Sequence, residues 1–173
     1  MARADTVGVQ VTASSEFRTE IRPGDLGAVV SFQGREYGEQ YGLDYRFEAG
    51  VAEAAVAFAF AYAEDPESGR LWLAEDEHGL TGCIAMSREG ERHGRVRWFL
   101  VARRARGQGL GRRLFDEAMA YARERFDTLE LETFSELTTA AGMYRAVGFE
   151  LRDSRPQRDW GREIQLQHYD LRF

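Results

Sequence analysis

Between Asp25 and Tyr62 apolar residues recur twice at helical spacing, over Leu26–Tyr41 and over Phe47–Tyr62, and each run predicts an amphipathic helix. Asp25, after the turn "RPGD", stands where a helix N-cap would. Upstream, "FRTEIR" (17–22) reads as a first strand, and residues 1–16, polar, small and aperiodic, predict a flexible tail. "RLWLAED" and "LTGCIAMSR" read as strands joined by the turn "DEHG", and "GERHGR" turns the chain into a third, "VRWFLVA". Leu110, Leu114, Phe115, Ala118, Met119 and Tyr121 then mark a helix from Leu110 to Phe126. "TLELET" follows as a strand with Leu129 and Leu131 on one side and Glu130 and Glu132 on the other. Glu136–Ala146 predicts a helix and "GFELR" a strand. The closing "EIQLQHYDLRF" alternates in two phases, Ile164 and Leu166 and then Tyr169, Leu171 and Phe173, a slip that predicts a bulge. This order describes an α/β (α+β) fold, one mixed sheet with helices on its faces, as a single domain over residues 17–173.

Composition narrows the function. The chain has 173 residues, enough for one well-filled core, and a net charge of −6. That balance argues against broad binding to nucleic acid or anionic lipid, so any anion is held locally. The lone Cys83 excludes an intrachain disulfide and a multi-cysteine zinc site, and no histidine pair among His78, His93 and His168 has metal spacing, so no metal is expected. The most apolar run, "VAEAAVAFAFAYA" (51–63), is too short to span a bilayer and carries Glu53, and no signal segment is evident. A cytoplasmic protein without a membrane partner is the expectation. All 23 basic residues other than histidine are arginine, so lysine takes part in no mechanism.

The distinctive stretch is "ARRARGQGLGRRLF" (102–115), where glycines join a strand to a helix. Such a turn bares backbone N–H groups at the positive end of a helix dipole, and glycines let an anion approach them. Arginines add charge-assisted bonds in a planar fork. A dinucleotide fingerprint would need a third glycine at Leu114 or Arg112, so a nucleotide-binding oxidoreductase fails on spacing, and a P-loop would need a lysine. Arg106, Gly109 and Gly111 instead supply R-x-x-G-x-G/A. Taken alone, the turn is equally a solvated arginine loop.

"FLVARRARGQGLGRRLFDEA" resembles the acetyl-coenzyme A signature of the GNAT N-acetyltransferase superfamily, and "AAGMYRAVGF" (140–149) resembles that family's later helix pattern. More narrowly, "VRWFLV", "ETFSELTTAAGMYRAVGF" and "DWGREIQLQ" are similar to acetyltransferase domains fused behind MarR-type regulators, and a free-standing copy is implied. The resemblance implies a mostly antiparallel sheet of about seven strands with about four helices and a splayed strand pair that holds the cofactor. It implies acetyl-CoA as cofactor, bound by Phe99, Leu100, Val101, Arg106, Gly107, Gln108, Gly109, Leu110, Gly111, Arg112 and Tyr144. The family's frequent asparagine seven positions before the helix tyrosine falls here at Leu137, and Ser135 is the expected replacement.

Transfer from a thioester to an amine needs a neutral nucleophile, support for the oxyanion and a proton for the thiolate. The resemblance implies Tyr144 as general acid and the Val101 N–H as oxyanion donor. A phenol stays protonated at neutral pH, although Tyr144 also shares a face with Ala140, Ala141 and Gly148 and could simply pack. Glu132 is the candidate base, and it and Glu130 equally fit a solvent-facing strand side.

The acceptor site of such a fold is lined by the first two helices and their loop, here "REYGEQYGLDYRFE" (35–48). Tyr37, Tyr41 and Tyr45 with Glu36, Glu39, Asp44 and Glu48 would suit a cationic amine through charge and ring faces, or form an ordinary wet helix surface. Two functions follow: an N-acetyltransferase acting on a primary amine in a ternary complex, or a non-catalytic acyl-CoA sensor. The family also implies a homodimer, with the aromatic end "HYDLRF" as candidate contact.

Overall fold

The computed structural model describes residues 17–173, and the tail expected at residues 1–16 lies outside them. Two helices come first, α1 (Asp25–Tyr41) and α2 (Tyr45–Glu64). Three strands follow, β1 (Gly69–Asp76), β2 (Gly79–Arg88) and β3 (His93–Val101). Then come α3 (Leu110–Arg125), β4 (Thr128–Phe134), α4 (Thr138–Ala146), β5 (Glu150–Gln157) and β6 (Ile164–Arg172). The helices sit within two residues of the sequence expectation. Among the described residues no helix is long and apolar enough to cross a membrane.

The strands form one six-stranded sheet in the order β1-β2-β3-β4-β6-β5, antiparallel throughout except for the parallel pair β3–β4. The seventh strand expected at 17–22 reduces to a single bridge, Arg18 to Leu73. The reason is electrostatic: the Arg18 guanidinium grips both carboxylate oxygens of Asp25 at 2.6 and 2.9 Å, which bends the chain toward α1 after one residue pair. Asp25 is therefore not the N-cap. Gly24, with φ of 98°, holds that position, and the Asp25 carboxylate accepts the Arg22 N–H at 2.6 Å.

Helices cover both sheet faces, which is why β1 and β2 are apolar at consecutive positions. Trp72 and Ile84 pack with Leu114, Phe115 and Met119 of α3 on one side, while Leu71, Leu73 and Cys83 pack with Val29 of α1 and Phe58 of α2 on the other. The same division explains the two phases of β6. Ile164 lies in the α1/α2 core and Tyr169 and Leu171 in the α3/α4 core, while the ladder from β6 to β4 runs without a register shift. The predicted bulge lies instead in β5, between Leu151 and Asp153.

Two irregularities shape the centre of the sheet. The ladder of β3 to β4 holds for only three residue pairs, His93–Thr128 to Arg95–Glu130, after which the strands part. On its other edge, β3 sets Trp98 and Phe99 against the single residue Ile84, since Cys83 pairs with Leu100 and Ala85 with Arg97. Trp98 sits there at φ of 53°, a left-handed conformation that costs a bulky residue energy.

Candidate functional site

Past the last β3–β4 pair, a cleft of about 570 Å³ opens between the end of β3, the start of α3 and the first turns of α4. The antiparallel alternation fixes where the strand's amides point. Ala102 donates to Thr81 at 2.8 Å, so at Val101, one residue earlier, the N–H turns away from β2 toward the space that β4 has left. The Val101 carbonyl accepts from Nε of Arg106 at 3.1 Å, which folds that side chain along the strand end.

The glycines of the next turn are required by geometry. Gly107 and Gly109 have φ of 78° and 75°, and Gly109 is the N-cap of α3 with no side chain capping it. The first bond into the helix is donated by Arg113 to Gly109, at 3.1 Å, which leaves the N–H groups of Leu110, Gly111 and Arg112 ahead of it facing outward. A Cβ at Gly111 would lie 3.3 Å from Val101 Cγ2, so glycine lets the helix start press against the strand. Bare amides, a helix dipole and flanking arginines form a cradle that fits a pyrophosphate.

A second cavity of about 160 Å³ fills the gap between the parted strands. Val96, Trp98 and Phe99 of β3 face Leu131, Thr133 and Phe134 of β4 across it, with Phe47, Tyr144 and Trp160 closing the sides. Trp160 reaches it because its carbonyl accepts the Asp44 N–H at 2.9 Å, which pins the β5–β6 loop to the α1–α2 loop, and its ring meets Phe47 edge-on at 5.2 Å. Tyr37, Phe99 and Leu137 line both cavities, so the two meet there.

Residues 32–149 match the model of the acetyltransferase (GNAT) family. The chain belongs to that family. It is therefore an acyltransferase of the GNAT type, a family whose acetyl donor is acetyl-CoA. The fold is shared with ribosomal-protein-alanine N-acetyltransferase of Brucella melitensis, at 20% identity, a TM-score of 0.66 and coverage of 91% of this chain and 99% of that one. A GNAT acetyltransferase of Staphylococcus aureus Mu50 superposes with a TM-score of 0.68 at 17% identity, over 90% and 97% of the two chains. The yncA protein of Salmonella typhimurium, solved with its cofactor acetyl-CoA, gives 0.65 at 16% identity, over 90% and 92%.

Of the residues that the GNAT resemblance nominated for the cofactor, Phe99, Leu100, Val101, Arg106, Gly107, Gly109, Leu110, Gly111 and Arg112 all line the larger cleft. Three do not. Gln108 lines a separate surface hollow beside Arg104 and Arg113, and its carbonyl accepts from Arg113 at 3.0 Å. Ser135 is exposed at the end of β4, 3.5 Å from Glu136, and lines neither cavity. The aliphatic hydroxyls at the cleft are instead those of Thr138 and Thr139, in the first turn of α4. A residue count from the tyrosine could not find them, because Leu137 itself takes the N-cap position and brings the next two residues to the cleft. Tyr144 lines the smaller cavity.

Tyr144 is 5% exposed and ringed by Phe99, Phe115, Phe149 and Tyr169 at centroid distances of 5.7–6.3 Å. Burial pushes its phenol well above the ordinary range, so the proton stays on Oη. Packing and a protonated hydroxyl thus coexist at this one residue. Val101 brings its amide to the larger cleft, and Glu132 lines the smaller one with its side chain 40% exposed and 3.6 Å from Arg155. Among the described residues Glu132 is the one carboxylate lining that cavity.

Two of the acids of 35–48 are engaged within the protein. Glu36 accepts the Arg103 N–H at 3.1 Å, and Asp44 caps α2 by accepting the Arg46 N–H at 2.9 Å. Tyr37 is buried between the two cavities and Tyr41 walls the larger, but Tyr45 is 76% exposed. His78 is exposed and His93 half-buried, bonded to Thr128 at 2.7 Å. His168 bonds Asp170 at 2.8 Å, and with Glu130 these groups bring one ligand atom each within 4.8 Å of one another. Arg95 beside Glu130 and Arg152 beside Asp170 balance both carboxylates within the protein.

Sequence patterning missed Gln33 and Trp98. Gln33 is 3% exposed and donates Nε2 to the Trp98 carbonyl at 3.0 Å. A glutamine on the buried face of an apolar helix was the available signal. Cys83 donates to the same carbonyl at 3.0 Å, and burial pushes its thiol up to about 12, so it is an inert core residue, as its type suggests.

Proposed function

We propose that the chain transfers the acetyl group of acetyl-CoA to a primary amine by direct attack, both substrates being bound at once. When bound, acetyl-CoA supplies an activated acyl carbon. The residues suited to hold it are those of the larger cleft. The amides of Leu110, Gly111 and Arg112 would receive the pyrophosphate, Phe99–Val101 the pantetheine arm, and Thr138 and Thr139 the opposite side. The Val101 N–H would donate to the carbonyl oxygen on which charge develops. Tyr144 holds the proton the departing sulfur needs, and Glu132 is the carboxylate available to receive one from the amine.

The observation that carries this reading is the junction of the two cavities at Tyr37, Phe99 and Leu137, one beside the amide cradle and the other reaching through the sheet. A pair of spaces sharing one wall suits two substrates that react without a covalent enzyme intermediate, and the only cysteine is sealed and protonated. Within the family, the runs "VRWFLV", "ETFSELTTAAGMYRAVGF" and "DWGREIQLQ" favour kinship with domains fused to MarR-type regulators. A homodimer through the C-terminal strand remains part of the proposal.

Titration calorimetry with acetyl-CoA, followed by thiol release in the presence of a panel of amines, tests it. Saturable binding with amine-dependent release is expected. Binding without release for any amine would reject the transfer.

A further inference from the structure

On α1 the buried stripe runs through Val29, Gln33 and Tyr37 at four-residue spacing, and it carries the last of them to the place where the two cavities meet. Of the residues that line both spaces, Phe99 and Leu137 are apolar, so Tyr37 brings the one polar side chain to the shared wall. Tyr37 is 6% exposed, and its ring is gripped by those of Tyr41, Phe47 and Phe134 at centroid distances of 5.2–5.8 Å. Its hydroxyl makes no hydrogen bond to any described residue. Nor is it sealed: among the described residues Thr133 Oγ1 is the one side-chain oxygen or nitrogen that both lacks a partner and is shut off from water. Tyr37 Oη therefore opens on the cavities it lines. Burial pushes its phenol far above the ordinary range, and the Tyr144 phenol adds to the shift, so the two hydroxyls lie within electrostatic reach of each other and both keep their protons at neutral pH.

Resting on the acetyl transfer proposed above, we infer that Tyr37 is a further catalytic residue, whose Oη donates a hydrogen bond to the carbonyl oxygen of the bound acetyl group, beside the Val101 N–H. The acetyl donor enters from the larger cleft and the amine from the smaller cavity, so the acyl carbon lies at their common wall, where Tyr37 stands. Val101 and Tyr37 both line the larger cleft, one at the end of a strand and the other on α1, which lets two donors converge on one oxygen. As the amine nitrogen forms its bond to the acyl carbon, the carbonyl π pair moves onto oxygen, and as the C–S bond breaks the pair returns. The sulfur takes a proton from Tyr144 and the amine gives one to Glu132 or solvent, while Tyr37 keeps its own throughout. A neutral donor that is fixed by three rings and unpartnered in the free protein gives up no bond, and reorganises little, when the charge appears.

The experiment compares wild type with Tyr37→Phe, which keeps the ring and removes the donor. With hydroxylamine as acceptor, small and neutral at pH 7, kcat should fall about 10²-fold. KM for hydroxylamine and the affinity for acetyl-CoA should both stay within about threefold. The thermal midpoint should be no lower, because the lost hydroxyl had no partner in the free protein. In isotope-edited infrared spectra the carbonyl stretch of bound acetyl-CoA should lie at higher frequency in Tyr37→Phe than in wild type, a change that looser packing does not produce. The inference is overturned if kcat stays within about threefold of wild type, if the loss falls on KM for hydroxylamine, which would make Tyr37 a positioning residue for the amine, or if the carbonyl stretch does not move. Those outcomes leave acetyl transfer itself intact. A wild type that binds no acetyl-CoA overturns the transferase proposal and this inference together.

Discussion

The side-chain nitrogen of Gln33 on α1 lies 3.0 Å from the carbonyl oxygen of Trp98, the residue that β3 holds in a left-handed conformation. The bond spans from one layer of the fold to the bulge in another, and both residues are on the wall of the smaller cavity. Gln33→Leu leaves that carbonyl with only the weaker Cys83 thiol. The expected cost is about 1–3 kcal/mol of stability, measured by denaturant unfolding, together with a lower kcat, since the bulge sets the path of the strand to Val101. Unchanged stability would show that the bulge holds itself.

Gly109→Ala places a Cβ where φ is 75°. A left-handed alanine costs roughly 1–2 kcal/mol, and in the free protein the exposed turn can relax. The cost then falls on binding, so acetyl-CoA affinity should weaken about 5- to 30-fold by calorimetry with little change in thermal midpoint.

Tyr144→Phe keeps the ring contacts with Phe99, Phe115, Phe149 and Tyr169 and removes the proton. We expect kcat to fall about 10²-fold or more while the thermal midpoint holds. Because burial raises the phenol's pKa, wild-type kcat should show no loss from this group at pH values up to about 10, the ordinary phenol value. Equal turnover in the variant would reduce Tyr144 to packing.

Asp25 carries a prediction for acid stability. The Arg18 guanidinium, aided by the Arg22 N–H, holds its carboxyl below the usual carboxylate range. A depressed carboxylate contributes fully above its unfolded value, about 3.9, and loses that contribution as pH falls through the folded value. Asp25→Asn should therefore cost about 1.5–3 kcal/mol at pH 7, and the gap between the two proteins should narrow below about pH 4. A gap constant from pH 7 to pH 3 would exclude this ion pair as its source.

Periodicity revealed the helices and most strands because each buries a continuous stripe or face, and the glycine turn was legible because positive φ and close approach leave few residue choices. The smaller cavity was not. Val96, Trp98 and Phe99 look like any buried strand, and nothing in their order announces that β4 will part from them or that Trp98 will turn left-handed. Thr133, the last residue of "TLELET", reads as an ordinary β-former until the neighbouring strand is known to be missing beside it. The first strand was overestimated for a related reason: the Arg18–Asp25 pair that diverts it is a choice of partner, and partners seven positions apart leave no periodic trace.

The three residue pairs that join β3 to β4 also set how firmly the two sides of the sheet are fastened. Where backbone rungs are missing, β1, β2 and β3 on one side and β4, β6 and β5 on the other resemble two leaves of a book bound along part of the spine. Molecules that enter the gap become the absent rungs. Amide exchange should be slower at His93–Arg95 than at Phe99–Val101 in the free protein, and the contrast should fade as the gap is filled.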